Sequence, residues 1–237
     1  MDFALPPARR ITLFAGHYGS GKTNLALNYA RDIRRQGHAV TLADLDIVNP
    51  YFRTKDSADD LKREGIDLVV SDYANSNVDF PALPKEIYSL VATDGAREAY
   101  VVMDIGGDDR GALALGRYVD DIRSGGDYAM LGVINAARPL TQTADDTVEV
   151  LREIEAACRL PFTALVNNTN LALETTLENI LASRAYANEV AAKMCLPIAF
   201  TSCEAKWAKA LAARINPERV FPLDIQSLYY QDRTREA

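Results

Sequence analysis

At 237 residues, the chain has the size of one α/β domain with a single core, and we expect one domain over residues 1–237. Hydrophobic residues make up 48% of it and charged residues 25%, which excludes an intrinsically disordered chain. No apolar run approaches the roughly 20 residues of a membrane-spanning helix, and the N-terminus lacks the apolar stretch of a secretory signal. The three cysteines form no C-x-x-C pair, which is typical of reduced thiols, so we expect a cytoplasmic protein.

The formal net charge of −7 argues against nucleic acid as a partner, because contact with a phosphate backbone requires a concentrated positive field. The basic cluster Arg31, Arg34 and Arg35 is interpreted as the solvated face of a helix. We therefore expect neither a nucleic-acid partner nor a membrane partner.

Short apolar runs alternate with segments of helical periodicity, which predicts a mostly parallel sheet with helices on both faces, a three-layer α/β fold. The predicted strands, about seven in number, span residues 11–15, 39–43, 66–70, 100–103, 128–134, 162–166 and 197–201. The predicted helices span residues 23–36, 143–159, 175–194 and 204–215.

Polar residues lie at or just past the carboxyl ends of several predicted strands. They are Asp44, Asp46, Asp104, Asn135, Asn167 and Asn168. Open α/β sheets bind ligands at this edge. The sequence therefore predicts that these side chains converge on one crevice.

The segment between the first predicted strand and the first predicted helix has the pattern of a phosphate loop. Its residues are Gly16, His17, Tyr18, Gly19, Ser20, Gly21, Lys22 and Thr23. Gly16, Gly19 and Gly21 allow a positive φ or a close approach of the backbone, so that successive N–H groups can bind phosphate oxygens. We expect Lys22 to bridge the β- and γ-phosphates and the Thr23 hydroxyl to ligate Mg²⁺. The fold class is thus predicted to be that of a P-loop NTPase.

A second nucleotide-site element is the apolar run 99–103, which ends in Asp104. We expect Asp104 to hold Mg²⁺ or a water bound to it. The backbone N–H of Gly107 could then approach the γ-phosphate and sense its presence. The alternative is a tight turn with a solvent-facing aspartate.

The run Asp44-Leu45-Asp46 resembles the first switch of the MinD/ParA group of SIMIBI-class P-loop ATPases. Together with Lys22 and Asp104, this resemblance spans most of the chain. The segments 135–139 and 167–168 also resemble later nucleotide-site loops of that group.

The resemblance implies Mg²⁺-dependent hydrolysis of ATP, with ATP and ADP as ligands. It assigns to Asp46 the orientation of the attacking water, with Lys22 supplying positive charge. Asp46 is also expected to contribute to the Mg²⁺ site. The alternative, for Asp44 as for Asp46, is a carboxylate that only caps or ligates through water. In members of the group, an asparagine after strand six often contacts the adenine base, which implies that Asn167 or Asn168 contacts the base here.

The phosphate loop departs from the group at position 17. Members carry a signature lysine directly after the first glycine, where it reaches across a nucleotide-sandwich dimer, whereas this chain has His17. We expect His17 to substitute for the lysine in part, since a nearby triphosphate favours the charged imidazole. A role in packing or in shaping the loop is the alternative.

A further arginine follows the first switch. Arg53 could supply transition-state charge as arginine fingers do, or lie on the surface beside Tyr51 and Phe52. Those two aromatic residues would suit a partner surface if exposed in one nucleotide state.

The leading functional interpretation is a nucleotide-dependent switch that acts on a protein partner, and the resemblance adds a nucleotide-dependent homodimer. One alternative is an ATP-dependent enzyme that activates a small carboxylate, of the cobyrinate or dethiobiotin synthase type. Another is a nucleotide-binding module that does not hydrolyse its ligand. ATP is favoured over GTP because the N-K-x-D guanine signature is absent, although Asn167-Asn168 leaves room for GTP.

Overall fold

The computed structural model describes residues 9–46, 55–70, 85–91, 99–106, 115–216 and 219–225. The strands in these ranges are β1 Ile11–Ala15, β2 Val40–Leu45, β3 Asp67–Val70, β4 Tyr100–Ile105, β5 Tyr128–Ile134, β6 Ala164–Asn167, β7 Ile198–Glu204 and β8 Val220–Leu223. The helices are α1 Lys22–Arg35, α2 Lys55–Arg63, α3 Lys85–Val91, α4 Val119–Gly125, α5 Ala144–Cys158, α6 Leu177–Met194 and α7 Ala205–Ala212.

The strands form one sheet in the order β3-β2-β4-β1-β5-β6-β7-β8, and every neighbouring pair is parallel. This confirms the predicted parallel α/β architecture. Strands β2, β3 and β4 lie on one side of β1, and strands β5 to β8 lie on the other. The order in which the chain adds strands to the sheet therefore reverses at β1. Open α/β sheets place their ligand crevice at the carboxyl end of such a switch point.

Helices cover both faces of the sheet, as predicted. On one face, Leu25 of α1 and Leu61 of α2 pack in a core with Phe14 of β1. On the other face, the core around Leu13 of β1 includes residues of α3, α4, α5 and α6, namely Ile87, Val119, Leu151 and Val190. Because successive side chains of a strand point to opposite faces, β1 contributes to both cores and is completely buried.

The structure has one strand more than the seven predicted. Strand β8 is a short edge strand that contains Pro222, and a proline inside a short apolar run weakens the strand signal. Strands β2 and β4 also extend past their predicted ends, so that Asp44 and Asp104 lie inside them, directly opposite each other in the pairing register. Within the described ranges, none of the helices has both the length and the apolar character needed to cross a bilayer.

Candidate functional site

The phosphate loop leaves β1 at Gly16 and enters α1 at Lys22. Gly19 has a φ of 75° and Gly21 a φ of 90°, which other residues rarely adopt. A Cβ on Gly16 would lie 2.4 Å from the carbonyl oxygen of Val133, so this position needs glycine for the close approach of β5. The loop therefore requires each of its three glycines for a geometric reason.

The start of α1 leaves its backbone donors available to a ligand. Gly21 is the N-cap residue of α1 and provides no side-chain hydrogen bond to the helix. The first N–H groups of a helix have no partner within the helix and carry its positive dipole end. This arrangement is suited to an anion such as a phosphate.

Lys22 brings a positive charge to the same loop. Its side chain is only 5% exposed, and its Nζ donates a hydrogen bond of 3.3 Å to the carbonyl oxygen of His17. The ammonium group thus lies against the backbone of the phosphate loop. A phosphate bound by this backbone would be within reach of the charge.

Thr23 and Asp104 join the phosphate loop to β4. The Thr23 hydroxyl donates a hydrogen bond of 2.6 Å to Oδ2 of Asp104, while the buried Oδ1 of Asp104 has no partner. The pKa of Asp104 is raised to about 7, chiefly by burial; Lys22 and the bond from Thr23 oppose the rise, and the carboxylates of Asp44 and Asp46 contribute to it. A buried, unsatisfied carboxylate oxygen is a place where a cation would be stabilised.

Two more carboxylates lie at the end of β2. Asp44 and Asp46 are both buried, and the Asp46 backbone N–H donates to Oδ1 of Asp44 at 3.0 Å. Thr23 and Asp104 supply oxygen donors, the ligand type that Mg²⁺ prefers, and the carboxylates of Asp44 and Asp46 lie near enough to raise the pKa of Asp104. In the described part of the chain, no cluster of three His, Cys, Asp or Glu side chains could hold a metal by itself. At nucleotide sites, waters and phosphates supply most of the ligands of Mg²⁺.

His17 is turned back onto its own loop. Its Nδ1 lies 2.9 Å from the Tyr18 carbonyl oxygen, and since a carbonyl only accepts, Nδ1 carries the hydrogen. The next residue, Tyr18, is 63% exposed. The structure thus presents Tyr18, and not the imidazole, as the outermost side chain of the phosphate loop.

Asn167 and Asn168 occupy different surroundings although they are adjacent in sequence. Asn167 donates to the hydroxyl of Ser183 at 2.9 Å, on the α6 side of the sheet. Asn168 donates to the backbone carbonyl of Ser20 at 2.7 Å and accepts from the Ser202 hydroxyl at 2.6 Å. Of the two, Asn168 lies at the phosphate loop and holds it against β7.

A cavity of about 260 Å³ adjoins the phosphate loop. Its walls come from the start of α1, from the segment after β6 and from the ends of β7 and β8, and include Gly21, Asn24, Asn168, Asn170, Glu204 and Ile225. The Asn170 amide donates to the Asn168 carbonyl at 2.8 Å and accepts from the Ala172 N–H at 3.2 Å, which leaves it one donor and one acceptor. A mostly apolar slot with a few polar groups is suited to a purine ring.

Sequence reasoning missed Asn170 and Glu204 as site residues. Asn170 stands two positions after Asn168, so the polar run 167–170 was the available signal. Glu204 lies inside the longer β7, beyond the predicted end of that strand. Gly107 and Arg53, with Tyr51 and Phe52, lie outside the described residues.

No protein-family model matches the chain, and no curated protein matches it either. Solved structures do match. Chloroplast FtsY from Physcomitrella patens has a TM-score of 0.54 at 16% identity over 94% of this chain and 65% of that one. FtsY from Thermotoga maritima has a TM-score of 0.53 at 18% identity over 94% of this chain and 69% of that one.

The signal recognition particle 54 kDa protein from Aeropyrum pernix, solved with GDP, has a TM-score of 0.52 at 22% identity over 84% of this chain and 42% of that one. The chain spans 62% of the length of FtsY from Mycoplasma mycoides. These likenesses establish that the fold is the α/β fold of P-loop NTPases. They do not single out the MinD/ParA group.

Proposed function

We propose that this chain binds a purine nucleoside triphosphate with Mg²⁺, hydrolyses it, and acts as a nucleotide-dependent switch on a protein partner. The observation that carries this proposal is the phosphate loop whose Thr23 is hydrogen-bonded to Asp104 across 2.6 Å. The loop donors, the lysine and the unsatisfied carboxylate converge at the carboxyl end of β1. Open α/β sheets bind ligands at this edge, next to a point where the strand order reverses, which supports the proposal.

The phosphate loop binds the β- and γ-phosphates through its backbone N–H groups and the N-terminus of α1. Lys22 supplies a compact positive charge to them. Thr23 and Asp104 would hold Mg²⁺, and the Asp46 carboxylate is near enough to raise the pKa of Asp104. When bound, Mg²⁺ neutralises charge on the phosphates and on the leaving group.

Asp46 is the residue that we assign to orient the attacking water. It is 8% exposed, and its backbone is fixed by the bond to Asp44. Because Asp46 is buried and its backbone is fixed, its carboxylate has few accessible conformations and can accept a hydrogen bond from a water with a small loss of side-chain entropy. Hydrolysis of a phosphoanhydride depends mainly on such positioning and on charge neutralisation.

The base would occupy the 260 Å³ cavity. The Asn170 amide offers both a donor and an acceptor, which matches the edge of adenine. ATP is also the ligand predicted from the sequence, because the N-K-x-D signature is missing. The carboxylate of Glu204, which forms an ion pair with Lys206 through one oxygen, only accepts, which matches a donor of guanine. GDP is the nucleotide in two of the similar structures, so GTP is the second candidate ligand.

Exposed apolar side chains around the nucleotide site support a protein partner. Tyr18 is 63%, Leu140 61% and Leu173 77% exposed, and they lie on loops that follow β1, β5 and β6 at the same edge of the sheet. Large exposed apolar groups at one edge are typical of an interaction surface. A second copy of this chain, as in the nucleotide-dependent homodimer of the MinD/ParA group, is one partner that would fit there.

The deciding experiment measures phosphate release with ATP or GTP and Mg²⁺ for the wild-type chain, Lys22→Ala and Asp46→Ala, with nucleotide binding on the same samples. We expect Lys22→Ala to lose binding and turnover. We expect Asp46→Ala to lose turnover and retain binding. Binding without turnover in the wild-type chain would contradict the hydrolytic switch and favour a non-hydrolysing module, whereas a product other than the nucleoside diphosphate and phosphate would favour a carboxylate-activating enzyme.

A further inference from the structure

The segment after β5 places an arginine beside the phosphate loop. The Arg138 N–H donates to the Asn135 carbonyl at 3.3 Å, and the Thr141 N–H donates to the Arg138 carbonyl at 3.0 Å. The Thr141 hydroxyl adds a bond of 2.8 Å to the same Asn135 carbonyl. The backbone of Arg138 is therefore fixed at the start of the 3-10 turn Pro139–Thr141.

The side chain of Arg138 lies along the middle of the phosphate loop. Its Nε, Cδ and Cζ are 3.6, 3.7 and 3.9 Å from the position that a Cβ on Gly19 would occupy. Because Gly19 has no side chain, the guanidinium packs directly against the loop backbone. It thus lies at the turn whose N–H groups form the phosphate cradle.

The guanidinium is not satisfied by the protein. Its Nε is buried without a hydrogen-bond partner, and so is Nδ2 of Asn135 on the same segment. Among the described residues, Arg138 forms no ion pair with a carboxylate. A buried donor left unpaired costs free energy, and a ligand that accepts a hydrogen bond from it would remove that cost.

We propose that Arg138 binds the phosphate groups of the nucleotide from the Gly19 side. The inference rests on the proposed function and adds a phosphate ligand to that site. The planar guanidinium donates to phosphate oxygens in a fork. A triphosphate with one Mg²⁺ keeps a net negative charge, so Arg138 supplements the charge of Lys22 and stabilises the charge that builds on the phosphate oxygens as the γ-phosphoryl group leaves.

The test compares two variants in the full chain. Arg138→Met keeps most of the side-chain volume and removes the charge and the donors, whereas Arg138→Lys keeps the charge. Dissociation constants are measured for ATP, GTP and inorganic tripolyphosphate with Mg²⁺, together with phosphate release. We expect Arg138→Met to weaken all three ligands by roughly 10- to 100-fold, the value of a charge-assisted hydrogen bond, and Arg138→Lys to recover part of that loss.

Arg152→Met, at an exposed position on α5, is the matched control and should bind like the wild-type chain. If Arg138→Met binds all three ligands like the wild type, the side chain only packs against the loop, and this inference is overturned while the proposed function stands. If Arg138→Met does not fold, Arg138→Lys decides the question. A loss of tripolyphosphate affinity in Arg138→Lys as large as that in Lys22→Ala would contradict the inference, because the lysine keeps the positive charge. Absence of any binding by the wild-type chain would overturn the proposed function and this inference together.

Discussion

The Thr23 hydroxyl donates to the Asp104 carboxylate at 2.6 Å, a bond between residues 81 positions apart in the chain. It forms because β1 and β4 are neighbours in the sheet, so the helix that follows β1 starts beside the end of β4. One oxygen of the carboxylate is bound by Thr23 and the other has no partner. Thr23 and Asp104 are therefore already positioned next to each other as two of the proposed Mg²⁺ ligands.

Thr23→Val should abolish the contribution of Mg²⁺ to nucleotide affinity. The substitution keeps the shape of the side chain and removes the hydroxyl, which is the proposed ligand of the metal and the partner of Asp104. We expect the affinity for the triphosphate with Mg²⁺ to fall to the value measured with a chelator. Thr23→Ser retains the hydroxyl and is expected to keep the Mg²⁺ effect, so an equal loss in both variants would contradict the assignment.

Asp104→Asn should stabilise the nucleotide-free protein more at about pH 8 than at about pH 5.5. Burial raises the pKa of Asp104 from 3.8 to about 7, so the folded state binds this proton up to near neutrality while the unfolded state has already released it. The folded state is therefore relatively less stable as the pH rises from about 4 to about 7. An asparagine carries no buried charge and removes this penalty.

Urea unfolding at the two pH values measures the effect of Asp104→Asn. Asp67→Asn, at an exposed position of β3, is the control for the loss of a carboxyl group that is not buried. A stability difference between Asp104→Asn and the wild type that stays constant across this range would show that the Asp104 carboxyl does not titrate there.

Gly16→Ala should destabilise the protein by about 3 kcal/mol, the range of an overpacked buried site. The new Cβ would lie 2.4 Å from the carbonyl oxygen of Val133, and neither backbone can move without disturbing the pairing of β1 with β5. Gly37→Ala is the comparison, because Gly37 has a φ of 91° and no atom within 4 Å of a built Cβ. It should cost only about 1 kcal/mol from backbone strain. Urea unfolding of both variants measures the difference, and equal losses would contradict the steric argument.

Asn168→Ala and Asn170→Ala should separate the anchoring of the phosphate loop from base selection. Asn168 binds the Ser20 carbonyl and the Ser202 hydroxyl, so its loss should weaken ATP and GTP equally and cost about 1–3 kcal/mol of stability. Asn170 keeps one donor and one acceptor for the cavity, so its loss should change the ratio of the ATP and GTP affinities by roughly threefold to tenfold. Competition binding on both variants measures the two ratios, and a changed ratio in Asn168→Ala would reverse the assignment.

Parts of the fold could be predicted from the sequence because their signals are local. Strands β1 and β5 have the predicted bounds, since each is a continuous apolar run next to turn residues. Helices α2, α3 and α4 were not predicted. They have 9, 7 and 7 residues, which is too short for a clear apolar stripe.

The sequence by itself determined the phosphate loop, because its glycines, Lys22 and Thr23 act through backbone geometry and charge within eight consecutive residues. Only the tertiary structure decided which distant groups join it. Asn167 and Asn168 are indistinguishable as a pattern, yet in the folded chain Asn167 contacts Ser183 of α6 and only Asn168 contacts the phosphate loop. The contact between Arg138 and Gly19 likewise depends on the pairing of β1 with β5, and strand order is set by the packing of the whole sheet, which no local pattern encodes.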